Sequence, residues 1–282
     1  MPSGPWPPAP EPLPSPVVDN HTHLDWDGGE GALSVADKLA AAASAGVTRV
    51  VQIGCELDSA RWTAAAVLEH AQMVGGVSLH PNEAPRHADG THPSGISYDD
   101  AFAEIAALAR GERIRVVGET GLDFFRTGPD GVAAQVRSFR DHVALARELG
   151  LPLQIHDRDA HAEILEVMDG DGAPPAVIMH CFSGDAAFAR ECLDRGYFLS
   201  FAGTVTFSNA PGLREAAAIT PASRLLVETD APFLTPVPHR GRPNSPAQAA
   251  HTVRALAEAR GDKVDALCVD IEANSEALYG PW

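Results

Sequence analysis

The chain has 282 residues, long enough for one (β/α)8 barrel of about 250 residues or for two small domains. A hydrophobic content of 45% and a near-zero mean hydropathy fit a soluble globular protein with a sizeable core, and exclude a disordered or membrane-embedded chain. Twenty-one basic against 38 acidic side chains leave a formal charge of −17, which repels polyanions at long range; that argues against coating nucleic acid, but not against engaging one phosphate through bound cations.

Residues 1–16 contain eight prolines, too many for a helix or an inner strand, so this tail is expected to be extended and largely disordered. From Val17 to the C-terminus a single domain is expected. Apolar, β-branched runs at 17–23, 49–54, 74–79, 114–119, 152–156, 176–180, 197–202 and 225–229 read as strands. Segments rich in Ala, Leu, Glu and Arg near 33–45, 59–71, 98–110, 131–149, 160–168, 185–195 and 211–218 read as the intervening helices, with two more near 245–260 and 263–278. Eight strand-crossover units in this order favour a parallel sheet forming a TIM barrel. The alternative, an open doubly wound sheet, usually has fewer strands, and no glycine-rich phosphate turn follows the first one. Residues 84–97 read as a loop inserted after the third strand.

The four cysteines, at 55, 181, 192 and 268, form no CxxC pair. There is no basic segment followed by an apolar core at the N-terminus, and no run of 18 apolar residues, so a cytoplasmic protein without a membrane contact is expected.

The first strand ends Asp19-Asn20-His21-Thr22-His23, and residues two apart on a strand face the same side, so two imidazoles converge. Other metal-binding side chains stand at later strand ends: Glu119, His156, His180 and Asp230. In a parallel barrel these ends gather on the face where active sites are built. Four imidazoles and two carboxylates exceed what one tetrahedral zinc needs, so two divalent ions, zinc, magnesium or manganese, fit the set better.

The sequence strongly resembles the TatD family of metal-dependent deoxyribonucleases, a branch of the amidohydrolase-like barrel enzymes. The resemblance runs from about Val18 to the C-terminus. It is carried by Asp19-Asn20-His21-Thr22-His23-Leu24-Asp25, Gly118-Glu119-Thr120-Gly121-Leu122-Asp123, Leu151-Pro152-Leu153-Gln154-Ile155-His156-Asp157-Arg158 and His180-Cys181-Phe182-Ser183-Gly184. Gly203-Thr204-Val205-Thr206-Phe207, Val227-Glu228-Thr229-Asp230-Ala231-Pro232-Phe233-Leu234 and the loop Pro238-His239-Arg240-Gly241-Arg242-Pro243-Asn244 continue it. It implies that His21, His23 and Asp230 hold one metal, that His156 and His180 hold the other, and that Glu119 bridges them. It also implies hydrolysis of DNA phosphodiester bonds from the 3′ end of single strands. Asn82, the Phe124-Phe125 pair and His142 depart from the family pattern, which bears on substrate preference.

The mechanism expected is attack by a water activated between the metals, with Asp230 as the proton acceptor and Glu119 as the second catalytic carboxylate. Arg158 and Arg240 are candidate phosphate grips through their planar forks, Arg242 being undecided. His80 and Glu228 are candidate substrate contacts, and Asp123 a candidate orienter of a ligand histidine. His70, His87, His92, His142, His161 and His251 read as solvated. Cys181 is rejected as a nucleophile, because neighbouring strand residues point to opposite faces. Two rival functions are a small-molecule amide, ester or lactone hydrolase and a non-catalytic, metal-stabilised scaffold.

Overall fold

The computed structural model describes residues 4–26, 31 and 33–282. The strands are β1 (Val17–Thr22), β2 (Val47–Gly54), β3 (Met73–Val77), β4 (Ile114–Asp123), β5 (Leu153–Arg158), β6 (Val177–Met179), β7 (Phe198–Phe201) and β8 (Leu225–Val227). They form one eight-stranded sheet in the order β1-β2-β3-β4-β5-β6-β7-β8. Pairing is parallel in β1/β2, β3/β4, β4/β5, β5/β6 and β7/β8. The helices are α1 (Val35–Ser44), α2 (Leu57–Glu69), α3 (Ala84–Ala88), α4 (Tyr98–Leu108), α5 (Pro129–Leu149), α6 (His161–Asp171), α7 (Ala186–Asp194), α8 (Pro211–Ile219), α9 (Ala249–Arg260) and α10 (Val264–Tyr279). This is the (β/α)8 TIM-barrel fold that the alternation implied. Among the described residues no helix is long and apolar enough to cross a membrane, and the four cysteines are free thiols.

The chain divides into two compact units. The first comprises the described parts of Met1–Gln52 with His70–Met73 and Cys181–Trp282. Its strand β1 is buried at every position, polar residues included. The Asn20 carboxamide donates to the Val227 carbonyl (2.9 Å) and accepts from the Ser275 hydroxyl (3.1 Å), which ties β1 to the end of β8 and to α10. Beyond the strand ends Thr22 bridges Ala231 in parallel, and the His23 N–H donates to the Ala231 carbonyl at 2.7 Å. Helix starts are capped as side-chain chemistry dictates: Ser34 accepts the Asp37 N–H, and Asp185 accepts the Ala187 and Phe188 N–H groups.

Of the tail expected to be extended and largely disordered, residues 4–16 are described, and residues 1–3 lie outside the described residues. The path is extended, as its prolines require. However, Leu13 is buried, and its N–H donates to the Ala45 carbonyl at 3.0 Å. Arg254 donates to the carbonyls of Glu11 (2.9 Å) and Pro12 (3.1 Å), and Gln248 to that of Pro8 (3.3 Å). Proline lacks an N–H but keeps its carbonyl acceptor, so a proline-rich segment can be secured by donors from elsewhere.

The second unit comprises Ile53–Glu69 and Val74–His180. Strand β4 runs four residues past its expected end, and Gly121, Leu122 and Asp123 pair with His156, Asp157 and Arg158 of β5. The expected loop at 84–97 opens with α3, which has proline in its first turn.

His87 and His142, expected in solvent, are buried, and the His87 ring stacks on that of His92 at 3.9 Å. The fixed partners of His142 explain how a histidine is accommodated. Its Nδ1 lies 2.7 Å from the Ser138 carbonyl, an acceptor, so this nitrogen carries the proton and donates. Nε2 is left to accept the Leu79 N–H at 3.1 Å. Burial pushes the imidazole pKa down to about 4, against an ordinary value of 6.5. The unfolded chain therefore takes up this proton first as the pH falls. The stabilisation is complete above about 6.5 and is lost between there and about 4, at up to about 1.4 kcal/mol per pH unit. Glutamine offers the same acceptor without titrating: His142→Gln is expected to flatten this part of the stability–pH curve in urea denaturation, and His142→Ala to cost about 1–3 kcal/mol at neutral pH by stranding the Leu79 N–H.

Candidate metal centre

In the first unit, Asp19 and His21 stand two apart in β1, and His23 follows just past its end. His21 Nε2 and His23 Nε2 face each other at 3.2 Å. The Asp230 carboxylate oxygen lies 3.4 Å from the latter and 3.9 Å from the former. Two nitrogens bound at about 2.0–2.1 Å to a tetrahedral ion would stand roughly 3.3 Å apart, so the donor set fits a divalent cation.

Asp230 reaches this position in the left-handed conformation, at φ 54°, which a short polar side chain tolerates. Its N–H donates to the His21 carbonyl (2.9 Å), and its carbonyl accepts the Phe233 N–H (2.9 Å). Asp19 holds the preceding residue: its carboxylate accepts from the Thr229 N–H (2.8 Å) and hydroxyl (2.5 Å) and from the His21 N–H (3.3 Å). Burial pushes the Asp19 pKa up to about 8, against the lowering effect of these bonds. The functional reading of the sequence gave Asp19 no role, although its place two residues before His21 was the available signal.

In the second unit, Glu119 is the focus. One of its oxygens lies 2.5 Å from His156 Nδ1, 3.4 Å from His80 Nε2 and 3.5 Å from His180 Nε2. Burial alone would raise the Glu119 carboxyl; the facing His80 and His180 and the His156 hydrogen bond outweigh it and hold the group well below the carboxylate range. Burial would likewise lower His156, but hydrogen bonds to Asp123 and Glu119 raise it to about 9. A proton on this ring and a cation beside it are alternative ways of balancing the same carboxylates. Backbone packing requires glycine nearby: at Gly121, with φ +142°, a Cβ would stand 2.0 Å from the His156 carbonyl oxygen.

Asp123 holds His156 in place. One carboxylate oxygen lies 3.3 Å from His156 Nε2 and accepts from Asn82 at 3.1 Å, while the other accepts the N–H groups of Phe125 (3.1 Å) and Arg126 (2.8 Å). His80, Glu119 and His156 offer ligand atoms within 4.8 Å of one another. Yet His80 Nδ1 accepts the Asn82 N–H at 3.0 Å, which leaves Nε2 carrying the proton toward Glu119, a hydrogen-bond donor rather than a ligand.

Glu228 is buried and accepts the Cys181 N–H at 2.9 Å. The guanidinium of Arg158 lies over Phe125, and that of Arg240 over Phe207, each at 4.1 Å from the ring centre. Neither forms an ion pair with a carboxylate among the described residues. Glu56, Glu83 and His92 form another donor group in the second unit, where Arg86 occupies Glu83 at 2.8 Å.

The family model for TatD related DNase matches residues 18–280. The chain belongs to the TatD family of metal-dependent hydrolases. It is similar to an uncharacterized metal-dependent hydrolase named TatD from Mycobacterium tuberculosis (strain ATCC 25618 / H37Rv), 43% identical over 94% of this chain and 98% of that one. A 3′-5′ ssDNA/RNA exonuclease TatD from Citrobacter koseri is 33% identical over 86% of this chain and 92% of its own. Among solved structures, the TatD homologue YjjV of Escherichia coli K12 superposes with a TM-score of 0.82 at 26% identity, covering 93% of this chain and 97% of that one.

For a TatD chain built this way, the Asp123 carboxylate faces the His156 ring at 3.3 Å without being in the proposed ligand set. Asp123→Asn is expected to weaken zinc affinity about 10- to 100-fold in a competition titration with a chelating dye, with the melting temperature of the metal-free protein little changed.

Proposed function

We propose that this TatD-family hydrolase is a nuclease that removes nucleotides from the 3′ end of single-stranded DNA. The observation that carries the reading is the convergence of the His21 and His23 nitrogens with the Asp230 carboxylate, a donor set suited to a divalent ion. The ligands we assign are His21, His23 and Asp230 for one ion and His156 and His180 for a second, with Glu119 as the shared carboxylate that the family resemblance implies. Two divalent ions would supply a water of lowered pKa and positive charge to offset the phosphate.

The chain's own residues do the rest. Asp230 orients the attacking water and takes its proton. Arg158 and Arg240, stacked on aromatic rings and without carboxylate partners among the described residues, offer planar forks to phosphate oxygens. Asp123 keeps the His156 ring in register, and His80 donates toward Glu119. The relatives named as ssDNA/RNA exonucleases support nucleic acid as substrate. The four free thiols suit a reducing compartment, and the cytoplasm is the location we assign.

The test is nucleotide release from 5′-labelled single-stranded DNA with added manganese or magnesium, run beside lactone and dipeptide substrates. Shortening from the 3′ end is expected, abolished by a chelator and reduced about 10²- to 10⁴-fold by Asp230→Asn. Turnover of the small molecules alone would overturn the reading.

A further inference from the structure

The proline-rich segment before β1 places a tryptophan beside the first donor set. Trp6, His23, Leu24, Trp26, Pro232 and Asn244 line one pocket. The Trp6 indole N–H donates to the Gly31 carbonyl at 2.9 Å. The backbone on either side is secured by Arg242, which donates to the Pro5 carbonyl (3.2 Å), and by Gln248, which donates to that of Pro8 (3.3 Å). The Trp26 ring meets that of Phe233 edge-on at 5.5 Å, and both approach the His23 ring, at 6.5 and 6.4 Å. Buried Lys38 fixes the backbone beneath, its ammonium donating to the carbonyls of Leu24 (3.1 Å) and Trp26 (3.2 Å).

We propose that Trp6 and Trp26 form an aromatic cleft beside His23 that holds the terminal nucleobase of a single strand by stacking. The inference rests on the nuclease reading above and adds where the base goes. A chain of net charge −17 gains little from long-range attraction to a polyanion, whereas a base is neutral and offers a flat face. Two half-buried aromatic rings, Trp26 and Phe233, approach a donor of the metal centre, and half-buried Trp6 lines the same pocket as Trp26, offering such a face. Two of the polar side chains lining the pocket, Lys38 and Asn244, are already engaged by backbone carbonyls. The Asn244 amide is committed to the carbonyls of Thr229 (2.9 Å) and Phe233 (2.6 Å), and its oxygen to the Ser245 N–H (2.9 Å). Stacking without edge contacts accepts all four bases.

The experiment compares kcat/KM for single-stranded oligonucleotides ending at the 3′ side in a normal or an abasic residue, using the manganese-loaded full chain. The wild type is expected to favour the base-bearing end by about 5- to 100-fold, with little difference among the four bases. Trp6→Ala and Trp26→Ala should each bring that ratio toward one, and Trp6→Phe, which keeps a ring but not the indole N–H, should preserve most of it. A ratio unchanged in Trp6→Ala overturns the proposal. Binding of thymidine 5′-monophosphate, followed by tryptophan fluorescence, needs no turnover and separates the two readings. Saturable quenching that Trp6→Ala abolishes supports the cleft even in a protein that does not cut DNA, and quenching indifferent to Trp6→Ala counts against the cleft even in one that does.

Discussion

Two imidazole nitrogens held 3.2 Å apart beside a carboxylate are the constraint on which the chemistry proposed for this protein depends. A hydrogen bond between His21 and His23 can use the lone pair of only one nitrogen. A divalent cation would use both and take the Asp230 oxygen as well. Burying such groups near one another is costly unless their charges and lone pairs are satisfied, and a metal satisfies them together. The cluster around Glu119 makes a related demand with the opposite balance, a buried carboxylate faced by three imidazoles.

The fold meets these demands through backbone placement. Asp19 clamps Thr229 to β1, so the residue after it, Asp230, is delivered against His21 in a conformation that few residues adopt. Gly121 lets β4 run close against the His156 backbone, which extends the strand to Asp123 and brings that carboxylate to the His156 ring. In both places a residue outside the proposed ligand set determines where a proposed ligand stands. Within the first unit, the tail extends the same logic: its carbonyls are held by side chains of a distant helix and loop, and Trp6 lines one pocket with His23.

Much of this was legible in the chain because the signals are local. Each strand is a short β-branched run, and His21, His23, Glu119, His156, His180 and Asp230 stand at or just past the ends of such runs. What escaped depends on partners remote in sequence. Nothing within residues 1–16 announces that Arg254 and Gln248 will bind its carbonyls, so proline content alone pointed to disorder. His142 sits on a helix among charged residues and reads as exposed, yet its buried position is set by the Leu79 N–H, 63 residues away. For His80, a strand end shows where the residue stands, not which nitrogen bears the proton. That is decided by the Asn82 N–H, two residues on.

The central claim is that these side chains hold a pair of divalent ions. Anomalous diffraction at the metal edge from crystals grown with zinc or manganese tests it directly. Two peaks are expected, one about 2.1 Å from the facing nitrogens of His21 and His23 with Asp230 in reach, the other on the His156 and His180 rings with the Glu119 carboxylate bound. A fully loaded crystal with no peak at either set would contradict the account.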